Sequence, residues 1–271
     1  MRGTSSTSFA EVLRHVEAAP AADGAALDAE AQELFSVADA IDSSNQLVRT
    51  LSDPGRPAEV KESTVRALLA NRVSPRTLET TLEVVRHRWS EQEDILDALE
   101  LLGVTALLEQ AQSEGVLEQV DGELFDVSRL IDGSGDLTAA LDGERGQPAR
   151  RASLLERLLD GRTHRLTVAL AARAVGRRSE TKPARRVEEF ARFASDRRRR
   201  AFASVSSAMP LSEAQQARLG AVLATIYGRE IQLNLTVDPA VVGGLQIQVG
   251  DDLYDATVLA RLSRARSQLV A

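Results

Sequence analysis

The side chains able to do chemistry are few and badly placed for it. His15, His87 and His164 are the three histidines of the chain. They lie far apart and show none of the close spacings by which a helix or loop offers two imidazoles to one metal ion. Helix-end or surface positions suit them better than ligation. Asp251, Asp252 and Asp255 form a tighter carboxylate group, but a glycine turn at Gly250-Asp251-Asp252 and a helix cap at Asp255 account for all three. The chain has no cysteine, which excludes thiolate nucleophiles, thiolate ligands and disulfides. It contains neither a G-x-S-x-G elbow nor a G-x-x-x-x-G-K-[ST] phosphate loop. No catalytic residue, cofactor or metal site is therefore expected. The remaining candidate is Arg197-Arg198-Arg199-Arg200, four guanidiniums that could neutralise nucleic-acid phosphates. The net charge of -7 and the 3% aromatic content, too low for base stacking, argue against that use. A basic helix face, solvated or docked on acidic partner helices, fits better. A helical adaptor binding RNA or acidic proteins through this helix stands as the alternative function.

With 3% aromatic residues and 43% apolar ones among 271, the core must be built from leucine, valine and alanine, which favours helix packing. Charge is divided along the chain. Residues 1–147 carry 12 basic and 28 acidic side chains, residues 148–200 carry 16 and 6, and residues 201–271 carry 5 and 6. The basic stretch is thus expected to attract the acidic one and to hold the two bundles at a fixed angle. No apolar run reaches the ~20 residues of a membrane span, and MRGTSSTSFAEV lacks a signal-peptide core. A reducing cytoplasm is the setting expected of a chain without cysteine, with any membrane attachment supplied by partners.

Helix punctuation is dense. Ser8-Phe9-Ala10-Glu11, Ser90-Glu91-Gln92-Glu93 and Ser212-Glu213-Ala214-Gln215 read as capping boxes. Pro57 and Ser74-Pro75 mark further helix starts. The helix opened at Ser90 runs to about Glu114, with Gly103 as a flaw or boundary. Residues 34–42, LFSVADAID, match 124–132, LFDVSRLID, at an offset of 90 with five of nine identical. Ser44, Leu47 and Leu51 pair with Ser134, Leu137 and Leu141, while Leu68-Leu69 and Arg72 pair with Leu158-Leu159 and Arg162. Pro57 pairs with Pro148 after a one-residue shift. Each copy carries the same order of elements, so the chain contains a duplicated helical domain. A basic helix over Pro183 to Arg200 closes the second copy.

The C-terminal part changes period. After a strand at 201–207 and a helix with the stripe Leu219, Val222, Leu223 and Ile226, the run Ile231 to Asp255 reads IQLNLTVDPAVVGGLQIQVGDDLYD. Ile231, Leu233, Leu235 and Val237 alternate with polar residues, as do Leu245, Ile247 and Val249, the pattern of two half-buried strands. These are expected to form a hairpin, with a last helix from Asp255 bearing Val258, Leu262, Ala265 and Leu269. The fold class expected is mainly α: two related N-terminal helical bundles, 1–95 and 96–200, then a small C-terminal α+β domain, 201–271.

The ordered string of Asp238, Gly243, Gly244, Gly250, Asp251 and Asp255 in this run resembles the C-terminal signature of the delta subunit of F-type ATP synthases. The mitochondrial counterpart of that subunit is the oligomycin-sensitivity-conferring protein. Thr105 to Phe125 is similar to that family's first helix, loop and second helix. The shorter bacterial form thus matches residues 101–271, and residues 1–100 are an extra bundle, as in long actinobacterial-type members. The resemblance implies a non-catalytic subunit of the peripheral stalk, or stator, at the cytoplasmic face of the membrane. Its helical domain would grip the α and β subunits of the catalytic head. Its C-terminal domain would hold the b subunit, so that proton flow is coupled to ATP synthesis. On that resemblance the α-subunit groove falls between the helices at 96–114 and 163–175, lined by Leu107, Leu108, Leu166 and Leu170. No nucleic acid partner is implied.

Overall fold

The computed structural model describes residues 1, 3–17, 24–143, 147–177, 181–200, 202–227, 231–238, 241, 243–249 and 252–257. The helices are α1 (Thr4–Glu17), α2 (Gly24–Asp42), α3 (Asn45–Ser52), α4 (Ala58–Leu69), α5 (Pro75–Arg86), α6 (Asp94–Ser113), α7 (Leu117–Gly133), α8 (Gly135–Gly143), α9 (Pro148–Leu159), α10 (Arg165–Gly176), α11 (Pro183–Arg200) and α12 (Glu213–Tyr227). The strands are β1 (Phe202–Ser207), β2 (Gln232–Val237), β3 (Leu245–Val249) and β4 (Asp252–Asp255). The protein is thus mainly α with a small C-terminal α+β portion. It divides into two compact units, Met1–Ala194 and Ser195–Ala271.

The duplication extends to individual hydrogen bonds. Helices α4 and α9, and likewise α5 and α10, start and stop 90 residues apart. Between them Asn71 and Gly161 both take positive φ, 58° and 68°, the left-handed stop that follows a helix. Ser44 and Ser134 each accept a bond from the backbone N–H three residues on, at 3.4 and 3.3 Å. Glu33 Oε2 accepts from Ser74 N at 3.0 Å and Thr77 Oγ1 at 2.5 Å, and Glu123 Oε2 accepts from His164 N at 2.8 Å and Thr167 Oγ1 at 2.5 Å. In both copies a carboxylate thereby fastens the start of the fifth helix to the second, satisfying backbone donors that the helix cannot satisfy itself. Burial opposes each charge, but these bonds outweigh it and hold both carboxyls below the ordinary 4.5. Lys61 and Arg151, also equivalent, are both buried cations.

Two cores form in the first unit. One joins α1, the later part of α2, α3, α4, α5 and the first half of α6. The other joins the second half of α6 with α7 to α11 and the early residues Leu27, Ala31 and Phe35 of α2. Helix α6 belongs to both. It is the last helix of the first copy, matching α11 in the second, and the first helix of the second copy, matching α1. It accordingly has buried residues all around its circumference, most of them apolar, as a helix shared by two cores must. The expected boundary at 95/96 falls at its start, and that at 200/201 falls six residues beyond the division between the compact units.

Several expected helix signals are used differently. Ser8 lies inside α1, and its hydroxyl donates to Arg88 O at 2.7 Å. The box at Ser90 does not form, because α6 begins at Asp94. Asp94 Oδ2 accepts instead from Glu91 N at 3.1 Å and from the Ser5 hydroxyl at 2.6 Å. Ser5, on α1, also accepts from Ser90 N, so a tertiary contact replaces the local cap. Trp89 lies beyond α5, buried, with its indole N–H donating to Val84 O at 3.0 Å. The third box does form: Ser212 N donates to Gln215 Oε1 at 2.9 Å, and Gln215 N to Ser212 Oγ at 3.3 Å. Gly103 neither breaks nor bends the assignment of α6; it is the point where Phe35 of α2 seats its ring.

In the second unit the sheet order is β2-β1-β3-β4. Strand β1 pairs with β2 in parallel, Ala203 opposite Leu233, and with β3 antiparallel, Val205 opposite Ile247. The expected hairpin of the two alternating runs is therefore corrected: β1 lies between them. Seven residues, 238–244, separate β2 from β3, enough to cross the end of β1, and α12 makes the longer return that a parallel pair requires. The hairpin that exists joins β3 to β4, with Gln246 opposite Asp255. Asp255 thus ends a strand that alternation did not reveal. The last helix expected after it, with Val258, Leu262, Ala265 and Leu269, lies outside the described residues, as do Gly250 and Asp251.

Candidate partner-binding surfaces

The four leucines assigned to a groove are interior. Leu107, Leu108, Leu166 and Leu170 are at most 1% exposed. Helix α6 shows solvent little more than Asp97, Leu101, Glu109, Gln112 and Ser113, because α2 lies along it. Phe35 of α2 reaches both helices of the expected groove. Its ring fills the notch at Gly103 of α6, and the Arg173 guanidinium of α10 stands 4.7 Å from the ring centroid. Phe35 and Asp39 of the first copy thus lie against both of these helices.

Opposite charges meet at the same seam. Arg173 and Arg177 near the end of α10, and Arg186 on α11, converge on Glu100 of α6, which is 1% exposed. Arg173 spans from Glu100 to Asp39 of α2, its two terminal nitrogens donating at 2.8 and 2.9 Å. Arg177 also takes Asp97 at 2.5 Å. Burial works against the Arg177 charge, but Glu100 and Asp97 outweigh it and hold its pKa above the ordinary arginine value. Three cations from the basic segment and three carboxylates from the acidic one form a network in which the Arg173–Asp39 pair is bidentate and Arg186 also reaches Glu189 at 3.3 Å. Sequence reasoning gave the two charge blocks; it could not show which six residues meet. Within the run at 197–200, Arg197 is buried, Arg198 is half-buried and Arg199 is exposed.

The signature residues hold the sheet's corners. Asp238 N donates to Ser207 O at 2.9 Å, and Asp238 O accepts from Val241 N at 3.1 Å. Gly243 and Gly244 both take positive φ, 95° and 88°. A Cβ on Gly244 would lie 2.5 Å from Ala256 O, so only glycine fits there. Asp255 Oδ1 accepts from Thr257 N at 2.9 Å and Thr257 Oγ1 at 2.7 Å. Among the described residues no group of three or more His, Asp or Glu side chains is arranged to hold a metal, and no helix is long and apolar enough to cross a membrane.

What the second unit does offer is exposed apolar surface. Val222 and Ile226 of α12, on the expected stripe with the buried Leu223, are exposed, as are Leu253 and Tyr254 of β4. Tyr227 donates to Asp252 Oδ2 at 3.0 Å and lies 3.2 Å from the Tyr254 hydroxyl. Burial and these neighbours raise its pKa above the ordinary tyrosine value.

The chain is thus a mainly α protein: a duplicated helical unit and a small α+β unit, each with its own core. Residues 104–269 match the family model described as ATP synthase delta (OSCP) subunit. The chain is 38% identical over 269 residues to the ATP synthase subunit delta of Beutenbergia cavernae, covering 99% of both chains. It is 39% identical to that of Kineococcus radiotolerans, covering 98% of this chain and 97% of the other, and 38% identical to that of Thermobifida fusca, covering 99% of both. The chain belongs to the ATP synthase delta (OSCP) subunit family and is a subunit of an F-type ATP synthase, a membrane-associated complex.

Proposed function

We propose that the chain is a non-catalytic stator subunit that links the catalytic head of the synthase to the b subunit of its peripheral stalk, at the cytoplasmic face of the membrane. The helical unit takes the α and β subunits, and the α+β unit takes b. Leu107, Leu108, Leu166 and Leu170 act in this reading as the packed floor of the head-binding region. The glycines and aspartates of the signature shape the stalk-binding unit. The observation that carries the reading is the separation into two units with independent cores, one of them bearing the exposed apolar residues Val222, Ile226, Leu253 and Tyr254. A linker between two partners needs two such bodies. An amphipathic helix of b laid on that apolar surface is an ordinary mode of helix recognition.

The test is truncation. Ending the chain after Arg229 removes β2, β3 and β4 and is expected to abolish binding to b while binding to the head survives. Loss of head binding with b binding intact would overturn the division of labour. A synthase purified from membranes without this chain would overturn the assignment as a whole, and tight, salt-sensitive RNA binding by the free chain would favour the adaptor reading.

A further inference from the structure

The two copies differ at one equivalent position in a way that exposes a surface. Phe35 of α2 is 5% exposed, whereas Phe125 of α7, 90 residues on, is 38% exposed. The first copy shows how the position is covered. Gly103 of α6 receives the Phe35 ring so closely that an added Cβ would stand 2.5 Å from it, and Arg173 of α10 lies over the ring. Asp39, one turn on from Phe35, pairs with the same arginine. The helix that should cover Phe125 by the same rule is α11, but Phe193 stands there in place of Gly103. Two phenylalanines cannot share the space that a phenylalanine and a glycine share. Phe193 turns instead to Phe9, their ring centroids 6.2 Å apart.

Around Phe125 the surface suits a helix. Gly122 and Arg129 lie on its stripe of α7, at the i−3 and i+4 positions, and both are exposed. No heavy atom lies within 4 Å of where a Gly122 Cβ would be, so a backbone can approach closely. Arg129 stands where the first copy has Asp39, and no ion pair is found for it among the described residues. The charge at this point is therefore inverted between copies.

We propose that the Gly122–Phe125–Arg129 stripe of α7 is a docking site for an amphipathic helix of another synthase subunit. That helix places glycine or alanine over the Phe125 ring and a carboxylate on Arg129. It takes the role that α6 and α10 play toward α2, with the sign of the ion pair reversed. The site rests on membership of the synthase and lies on the second helix of its copy, apart from the α6–α10 region.

The experiment uses the purified, assembled synthase with p-benzoylphenylalanine in place of Phe125. Irradiation is expected to give a cross-link to a helical segment of another subunit that carries Gly or Ala with Asp or Glu about one turn away. In parallel, Phe125→Ala and Arg129→Glu are each expected to weaken retention of the chain in the washed complex about tenfold, with Trp89 fluorescence of the free chain unchanged. Val60→Ala, at another exposed apolar side chain, leaves retention as it was. A complex containing the chain but giving only solvent adducts at position 125, or cross-links to residues 195–271 of the same chain, overturns the docking site while leaving the stator reading intact. Absence of the chain from the synthase overturns both.

Discussion

Replacing Gly103 by alanine sets two effects of known sign against each other. Alanine favours a helix interior over glycine by about 1 kcal/mol, so the substitution stabilises α6 if the site is open. The site is closed: the new Cβ would lie 2.5, 2.8 and 3.1 Å from three atoms of the Phe35 ring. The Arg173 guanidinium also stands 4.7 Å from the centroid of that ring, and overpacking of a filled core costs about 1–3 kcal/mol. Packing is expected to win, leaving Gly103→Ala about 1 kcal/mol less stable and Gly103→Val worse by about 2 kcal/mol more. Trp89 is the one tryptophan and is buried in the core of the first copy, so its fluorescence in a urea titration reports this unit and not the sheet. Phe35→Leu should recover most of the loss in the Gly103→Ala background while destabilising the wild type, a coupling that marks direct contact. A Gly103→Ala variant more stable than wild type by the full propensity gain would refute the close α2–α6 seam.

Three further outcomes follow from the same geometry. Glu100→Gln leaves three guanidiniums around a neutral amide and is expected to cost about 3–5 kcal/mol in the same titration; a loss under about 1 kcal/mol would remove the network from the account of the seam. Glu33 and Glu123 have folded pKa values below the ordinary 4.5, so their stabilisation is complete above that pH and is lost as pH falls through the lowered values. The double change to glutamine should flatten the acid limb of the stability curve below about pH 4.5, and an unchanged limb would show that the bonds do not hold in solution. Gly244→Ala must place a Cβ against Ala256 O at positive φ, and is expected to speed proteolysis of residues 231–257 while the Trp89 transition stays where it was.

The helices and the repeat were legible because they rest on local chemistry. A Ser-Pro start, a Leu-Leu pair and a Ser cap announce themselves within a few residues, and the offset of 90 carried them from one copy to the other. What failed depended on distant partners. Ser90 lost its capping role to Ser5 and Asp94, residues brought together only by α1 and α6. Gly103 read as a flaw because the ring it accommodates lies 68 positions earlier. Alternation located β2 and β3 but could not reveal β1 between them. The short β4 has too few residues to show a period. The leucines of α6 and α10 were recognisable as apolar, yet only the packing of α2 shows that they face inward. The signature glycines were read as turns, and the positive φ angles supply the reason that glycine stands there.

The sharing of α6 has a mechanical meaning. Tandem domains usually meet through a linker, which bends under load and lets each body turn on its own. Here the join is the helix itself, 20 residues long and continuous, about 30 Å of hydrogen-bonded rod gripped at one end by the first core and at the other by the second. A twist applied to either bundle is passed along that rod and braced beside it by the Glu100 ion pairs. Among the described residues the two bundles share this helix in place of a linker, so on the proposed stator reading they are expected to move together as one body.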